Sequence, residues 1–323
     1  MSTNTAAPIV VFGEALIDIF PDQKIVGGAP FNVARALASL HCPAFFISRV
    51  GIDDNANLIR HECSKFNLSP NGIQLDALAS TGQVTVEMSG SSHRFIIEPD
   101  QAYDYINEYS AKLALADAYP QQKPAIIYFG MLAQRSEASR RSLYSLLNDS
   151  SAPTYLDLNL REGQFTLENI YTALNHTDIL KVNEDELQLL LSEFVEAPES
   201  DFAVPLHIDR AKSAVSQLIK RFDLQAVVVT LGERGYAYMD SSGQVLASQQ
   251  APKPALMIDT VGCGDAFSAI FLAGKLFGWP IQQSLDRAQT FASAVCGIKG
   301  AVSNDPAFYQ QWQSLWIEQE SAQ

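Results

Sequence analysis

Short, wholly apolar runs recur along this chain, with helical patterns between them. Such runs include Ile9–Phe12, Phe45–Ile47, Ile126–Phe129 and Ala226–Val229. A short uninterrupted apolar run is typical of a strand that is buried on both faces. The alternation of such strands with helices predicts a single α/β domain over residues 1–323, with a largely parallel sheet and helices on both faces.

One segment breaks this rhythm. Val84, Val86 and Met88 alternate with polar residues, a Ser-Gly-Ser-Ser turn follows, and Phe95 and Ile97 alternate on the return. Alternation of this kind predicts a hairpin with one polar and one apolar face. We interpret residues of about 15–28 and 83–106 as a small β-lid, and we expect its apolar face to pair with a second lid in a homodimer.

Charge and cysteine content limit the classes of partner. Acidic residues outnumber basic ones 36 to 22, which gives a formal charge of −14 and argues against nucleic acid and anionic membrane as partners. No apolar run is long enough to span a bilayer. The four cysteines show neither a CxxC pair nor zinc spacing, so we predict reduced thiols and a cytoplasmic protein.

The stretch from Ile258 to Phe267 carries the strongest chemical signal. Gly262 and Gly264 precede a long apolar helical pattern, and Asp265 follows them directly. Free N–H groups at a helix start, together with the helix dipole, form a seat for phosphate. An acid beside that seat suits phosphoryl transfer, in which a carboxylate takes the proton of the attacking hydroxyl.

Of three other interpretations of this stretch, only the first fits its residues. Gly-x-Gly-Asp before a helix also describes a plain turn with an Asp N-cap. A dinucleotide fingerprint requires a third glycine, and Phe267 stands in its place. The lysine-bearing phosphate loop is absent, because Lys275 lies inside the helix and is followed by Leu276.

Further polar clusters follow predicted strands. They comprise Asp18, the Gly27-Gly28 pair with Asn32, the series Asp157, Asn159 and Arg161, and the pair Asn183 and Glu186. In a parallel sheet the carboxyl ends of the strands lie at one edge, where ligands bind. We therefore expect these residues to gather at that edge, and the alternating series to share one strand face.

Several separated stretches together resemble the ribokinase-like (PfkB-type) carbohydrate kinases, and their fructokinase branch most closely. Gly27–Ala34 resembles the first signature of that family, and Asp259–Asp265 resembles the second. Between them, in the family's order, lie Asp157–Arg161, Asn183–Glu186 and Thr230–Gly235. The resemblance covers almost the whole chain and implies the ribokinase-like α/β fold with a β-lid.

The resemblance also implies residue roles. Asp265 would be the catalytic base, and Gly262, Cys263 and Gly264 would form the anion hole. The sugar would be bound by Asp18, Gly28, Asn32 and Arg161. Magnesium would be positioned through water by Asn183 and Glu186, the ATP phosphates would contact Thr230, Gly232 and Gly235, and Asp259, near the loop ending at Gly300, would belong to a monovalent-cation (K⁺) site.

The leading hypothesis is an ATP-dependent kinase that phosphorylates a primary hydroxyl of a sugar, with fructose as the substrate. One alternative is a 2-keto-3-deoxygluconate kinase, which shares much of the motif set. Another is a non-catalytic sugar- or nucleotide-binding scaffold. The polar residues assigned to the sugar include two acids, Asp18 and Asp265, and one Arg, which favours hydroxyl groups over a carboxylate.

Overall fold

The computed structural model describes residues 7–89, 92–248, 250–254 and 256–321. Its strands are β1 (Ile9–Phe12), β2 (Leu16–Ile19), β3 (Lys24–Gly27), β4 (Ala44–Gly51), β5 (Ile73–Asp76), β6 (Gly82–Ser89), β7 (Ser92–Ile97), β8 (Ile126–Gly130), β9 (Thr154–Asp157), β10 (Ile179–Asn183), β11 (Ala226–Thr230), β12 (Tyr236–Asp240) and β13 (Val245–Ala247). Its α-helices are α1 (Ala29–Ser39), α2 (Asp54–Lys65), α3 (Glu108–Ala118), α4 (Glu137–Asn148), α5 (Leu167–Leu174), α6 (Glu184–Phe194), α7 (Ile208–Phe222), α8 (Cys263–Phe277), α9 (Ile281–Val295) and α10 (Pro306–Ser321).

Nine strands form the central sheet, in the order β13-β12-β11-β10-β9-β8-β1-β4-β5. Each neighbouring pair from β5 to β11 in this order is parallel, whereas the pairs β11–β12 and β12–β13 at the other edge are antiparallel. The predicted largely parallel sheet is confirmed. Its carboxyl edge carries the ends of β1, β9, β10 and β11, so the loops after these strands lie side by side.

Helices cover both faces of this sheet, as predicted. Ile9 and Val11 point into a core shared with α1, α2, α8, α9 and α10. Val10 and Phe12 point into the opposite core, which is shared with α3 to α7. Because successive strand residues face opposite sides, a strand buried on both sides must be apolar at every position, which explains the continuous apolar runs.

A second sheet of four strands, in the order β3-β2-β6-β7, stands apart from the first. β2 pairs with β6 in parallel, and β6 pairs with β7 as an antiparallel hairpin. Beyond β7 the chain forms a short 3-10 helix at Ala102–Tyr105. The side chains of Val86 and Phe95 lie outside the described residues, so the homodimer through this sheet stays a prediction.

The two helices that carry the site begin at glycines with positive φ. Gly28 (φ 103°) precedes α1, and a Cβ there would lie 2.6 Å from the carbonyl oxygen of Glu14. Gly262 (φ 77°) precedes α8, and a Cβ there would lie 2.3 Å from Cβ of Ala301. Both positions therefore require glycine for the backbone angle and for the space.

The cysteine prediction is wrong for two of the four residues. Cys263 and Cys296 form a disulfide with a Cα–Cα distance of 6.2 Å, because the first turn of α8 lies against the end of α9. Cys42 and Cys63 are free and buried. In the part of the chain that is described, no helix has both the length and the apolar character needed to cross a membrane.

Candidate active site

The first turn of α8 has a cavity on one side and buried polar side chains on the other. Gly264 lines a cavity on one side, and Asp265 hydrogen-bonds to α1 on the other. The N–H groups of Gly264 and Asp265 belong to the first helical turn, where no intrahelical acceptor exists. The amide of Cys263 differs, since it donates to the carbonyl of Thr260 at 3.3 Å. Of the three predicted anion-hole residues, Cys263 is thus the one whose N–H already has an acceptor.

Asp265 is a buried carboxyl whose pKa is raised. Its side chain is 9% exposed, and its Oδ2 accepts a hydrogen bond of 2.7 Å from Nδ2 of Asn32. The pKa of Asp265 is raised to about 6, chiefly by burial and also by the charge of the nearby Asp157, while the bond from Asn32 opposes the shift. A base with a pKa near neutrality can accept a proton and release it again within the physiological range.

A second buried carboxylate lies next to it and is paired. Asp157, at the end of β9, accepts hydrogen bonds from Nζ of Lys181 at 2.9 Å through both oxygens, and from Ser268 at 2.8 Å. Lys181 Nζ also lies 3.0 Å from the position that a Cβ of Gly264 would occupy. The ammonium group of Lys181 therefore lies beside the first turn of α8 and balances the charge of Asp157.

The expected sharing of one strand face by Asp157, Asn159 and Arg161 is wrong. β9 ends at Asp157, and Asn159 takes a positive φ of 39°, which interrupts the alternation. Asp157 is buried, whereas Arg161 is exposed. The alternation fails because the polar residues lie beyond the strand, in the loop at the sheet edge.

The predicted sugar residues are nevertheless brought together. Asp18 lies in β2 of the small sheet, and its Oδ2 is 2.6 Å from the position of a Cβ on Gly27. Burial raises the pKa of Asp18 to about 6, while the charge of Arg161 lowers it. Arg161 also lowers the pKa of Asp265. One exposed cation thus acts on carboxyls from the small sheet and from α8.

Glu14 is a buried acid in the same region that the sequence did not identify. It is 5% exposed, and its Oε2 has no hydrogen-bond partner among the described residues. The pKa of Glu14 is raised to about 7, chiefly by burial and also by the charge of Asp265, while backbone hydrogen bonds and the charge of Arg161 oppose the shift. A sequence signal exists, because Glu14 closely follows the buried strand β1 at the carboxyl edge.

The cavity on the other side of α8 has a volume of about 410 Å³. It is lined by Thr230, Gly232 and Gly235, the residues predicted for the ATP phosphates. The other lining residues are Glu233, Ala251, Pro252, Lys253, Pro254, Met257, Thr260, Cys263, Gly264, Phe267, Gln289, Ala292, Ser293 and Cys296. A larger cavity of about 800 Å³, next to Arg49 and Arg141, contains none of the predicted site residues. Size alone therefore does not locate the site.

The side-chain oxygens of Asn183 and Glu186 accept hydrogen bonds from backbone N–H groups. Asn183 Oδ1 accepts from the N–H of Glu186 at 2.8 Å, and the two oxygens of Glu186 accept from the N–H groups of Asn183 and Leu160 at 2.9 and 2.8 Å. This is a capping box at the start of α6. Within the described ranges no cluster of three or more His, Cys, Asp or Glu side chains suits a metal ion. The predicted magnesium, held through water, stays a prediction.

Asp259 lies beside the loop that ends at Gly300. Its Oδ1 accepts from the N–H of Val261 at 3.0 Å, and its Oδ2 accepts from the N–H of Gly300 at 3.1 Å. The carboxylate therefore joins the segment before α8 to the loop after α9. Whether this loop binds K⁺ stays a prediction.

Comparisons with known proteins point to one family. The sequence model described as "pfkB family carbohydrate kinase" matches residues 7–307. A fructokinase from Klebsiella pneumoniae is 29% identical over 322 residues, covering 92% of this chain and 96% of the relative.

Two solved structures extend the comparison. A sugar kinase from Pyrococcus horikoshii in complex with ATP has a TM-score of 0.71 at 26% identity, covering 91% of this chain and 93% of its own. A fructokinase double mutant from Vibrio cholerae O395, bound to fructose, ADP and potassium, has a TM-score of 0.71 at 23% identity, covering 94% and 97% of the two chains. At that identity the second likeness establishes the fold alone.

Proposed function

The chain belongs to the pfkB family of carbohydrate kinases, and on that premise we propose that it transfers the γ-phosphoryl group of ATP to a primary hydroxyl of fructose. The observation that carries the proposal is the position of Asp265. It is buried, its pKa is raised to about 6 by burial, and it stands at the start of a helix between the cavity and the predicted sugar residues. A general base for an attacking hydroxyl requires this position.

The proposed chemistry uses the residues of the first turn. The sugar hydroxyl loses its proton to Asp265 as its oxygen bonds to the γ-phosphorus, and the bond from that phosphorus to the leaving ADP oxygen breaks. The N–H groups of the first turn and the helix dipole stabilise the charge that develops on the transferred phosphoryl group. Lys181, beside Gly264, adds a positive charge close to the same turn.

The charge of the sugar region supports a neutral substrate. Glu14, Asp18 and Asp265 are acids, and Arg161 is the cation that acts on all three. Hydroxyl groups donate to and accept from such side chains, whereas a substrate carboxylate would be repelled by them. The 29% identity to a fructokinase over 92% of the chain points in the same direction.

A substrate panel tests this proposal. With saturating Mg-ATP, ADP release is measured for fructose, 2-keto-3-deoxygluconate and other sugars, with Asp265→Asn as the background control. We expect kcat/KM for fructose to exceed that for the keto-acid by more than about tenfold, since pocket contacts discriminate on that scale. A preference for the keto-acid would overturn the substrate assignment and leave the kinase activity in place.

A further inference from the structure

A buried arginine lies directly behind the proposed base. Arg35 is on α1, one turn after Asn32, and is 3% exposed. Its Nη2 donates to Oδ1 of Asn32 at 2.6 Å, and Asn32 in turn donates to Asp265 at 2.7 Å. All three side chains are buried, so these hydrogen bonds form a continuous path from the guanidinium group to the carboxylate.

The chemistry of the end groups fixes the orientation of the middle one. A guanidinium group only donates hydrogen bonds and an ionised carboxylate only accepts them, while the amide of Asn32 does both. Oδ1 of Asn32 must therefore face Arg35, and Nδ2 must face Asp265. If the amide turned over, its oxygen would face the carboxylate, and Asp265 would gain hydrogen bonding only in its protonated, inactive form.

Arg35 is itself held firmly. Its Nη1 donates to Glu62 Oε2 at 2.7 Å, and its Nη2 also donates to the carbonyl of Val26 at 3.1 Å. The guanidinium carbon lies 4.7 Å from the centre of the Phe31 ring. Glu62 belongs to α2 and Val26 to β3 of the small sheet, so Arg35 connects both elements to the proposed base.

We propose that Arg35 is a positioning residue for phosphoryl transfer: it fixes the amide of Asn32 so that this amide holds Asp265 ionised and aimed at the sugar hydroxyl. The inference rests on the proposed function, in which Asp265 is the base. Arg35 touches neither reacting atom and acts through Asn32.

The test compares Arg35→Met with Glu62→Gln, measuring kcat, both KM values and the pH dependence of kcat. In Arg35→Met the Asn32 amide is no longer fixed, so we expect kcat to fall by about tenfold and its acidic limb to move to higher pH. KM for ATP should stay unchanged. Glu62→Gln removes the ion pair and keeps the bond from Arg35 to Asn32, so its acidic limb should match the wild type even if its melting temperature falls.

Other charged groups near Asp265 do not explain a difference in the acidic limb of kcat between the two variants. Asp157 on β9, Lys181 on β10 and Arg161 in the loop after β9 act on its pKa, and Glu14 and Tyr128 interact with it electrostatically. All five are unchanged in both variants. Adding Arg35→Met to Asn32→Ala should leave the acidic limb of the single Asn32→Ala variant where it is, because Arg35 acts through that amide.

Each outcome supports or overturns the role proposed for Arg35. If Arg35→Met does not fold, the same measurements are made on Arg35→Lys. Its ammonium cannot replace the fork of donors on the guanidinium group, so its acidic limb should still move to higher pH, by less than is expected for Arg35→Met. An acidic limb that stays at the wild-type pH in the folded variant would overturn the inference. Near-normal kcat in Asp265→Asn would instead overturn the proposed function, so the two failures are distinguishable.

Discussion

The two sides of the α8 start are built in different ways. On the side of the residues predicted for the sugar, which we call the sugar side, buried side chains are joined by short hydrogen bonds: Arg35 to Asn32, Asn32 to Asp265, and Lys181 to Asp157. On the cavity side, the residues predicted for ATP are mainly glycines and loop positions, and the walls include Ala, Pro and Met side chains. Replacing a side chain should therefore change kcat or KM strongly on the sugar side and only weakly on the cavity side.

The largest effect should follow from Asp265→Asn. Asparagine keeps the size of the side chain but cannot take the proton, so kcat should fall by roughly 10²–10⁴, the usual contribution of a general base. Steady-state kinetics measures this fall, and a sugar-dependent rise in melting temperature verifies that the variant still folds and binds. A kcat close to the wild-type value would show that Asp265 is not the base. The contrast between the two sides would then lose its main support.

An intermediate effect should follow from Arg161→Ala. Arg161 acts on Asp18 and Asp265 from an exposed loop, so its loss should raise KM for the sugar by about tenfold, the scale of one hydrogen bond to a charged group. KM for ATP should not change. Arg60→Ala, which removes an exposed arginine on α2, serves as the matched control. An equal rise in both KM values would place Arg161 on both sides and weaken the contrast.

The smallest effect should follow from Cys263→Ala. This residue lines the cavity and is paired with Cys296, yet its amide already donates to Thr260. Since alanine keeps the backbone of the first turn, we expect kcat to stay within about twofold of the wild type. Initial rates are compared for both proteins with and without a thiol reductant. A tenfold loss in the variant, or in the reduced wild type, would show that this side also depends on side chains.

Much of the fold was predictable because the dominant signal is local. Continuous apolar runs located β1, β4, β8 and β11. The sequence did not reveal β5, α3, α5 or α10. In α3, for example, only Ala111 is buried, so its apolar residues do not form a clear stripe.

The site was predictable only where spacing along the chain carries the chemistry. Asp265, Gly262 and Gly28 stand in short motifs, and a turn before a helix explains each of them. Arg35 and Lys181 could not be predicted as site residues because their ion-pair partners lie far away in the chain. Glu62 is 27 residues from Arg35, and Asp157 is 24 residues from Lys181. The disulfide was missed for the same reason, with 33 residues between its cysteines.

The hydrogen bond between Asn32 and Asp265 joins residues that are 233 positions apart, and this distance has a consequence for synthesis. From β8 to β13 each new strand is added at the same growing edge of the sheet, so that part can assemble in the order in which the ribosome delivers it. α8 comes later still and returns to pack against α1, near the opposite end of the chain. Until then the nascent chain exposes the apolar face that α8 will cover, and Asn32 is without its partner Asp265. Release of the C-terminal helices therefore completes the core and brings Asp265 to Asn32 in one event, so prematurely terminated chains should engage chaperones and have no kinase activity.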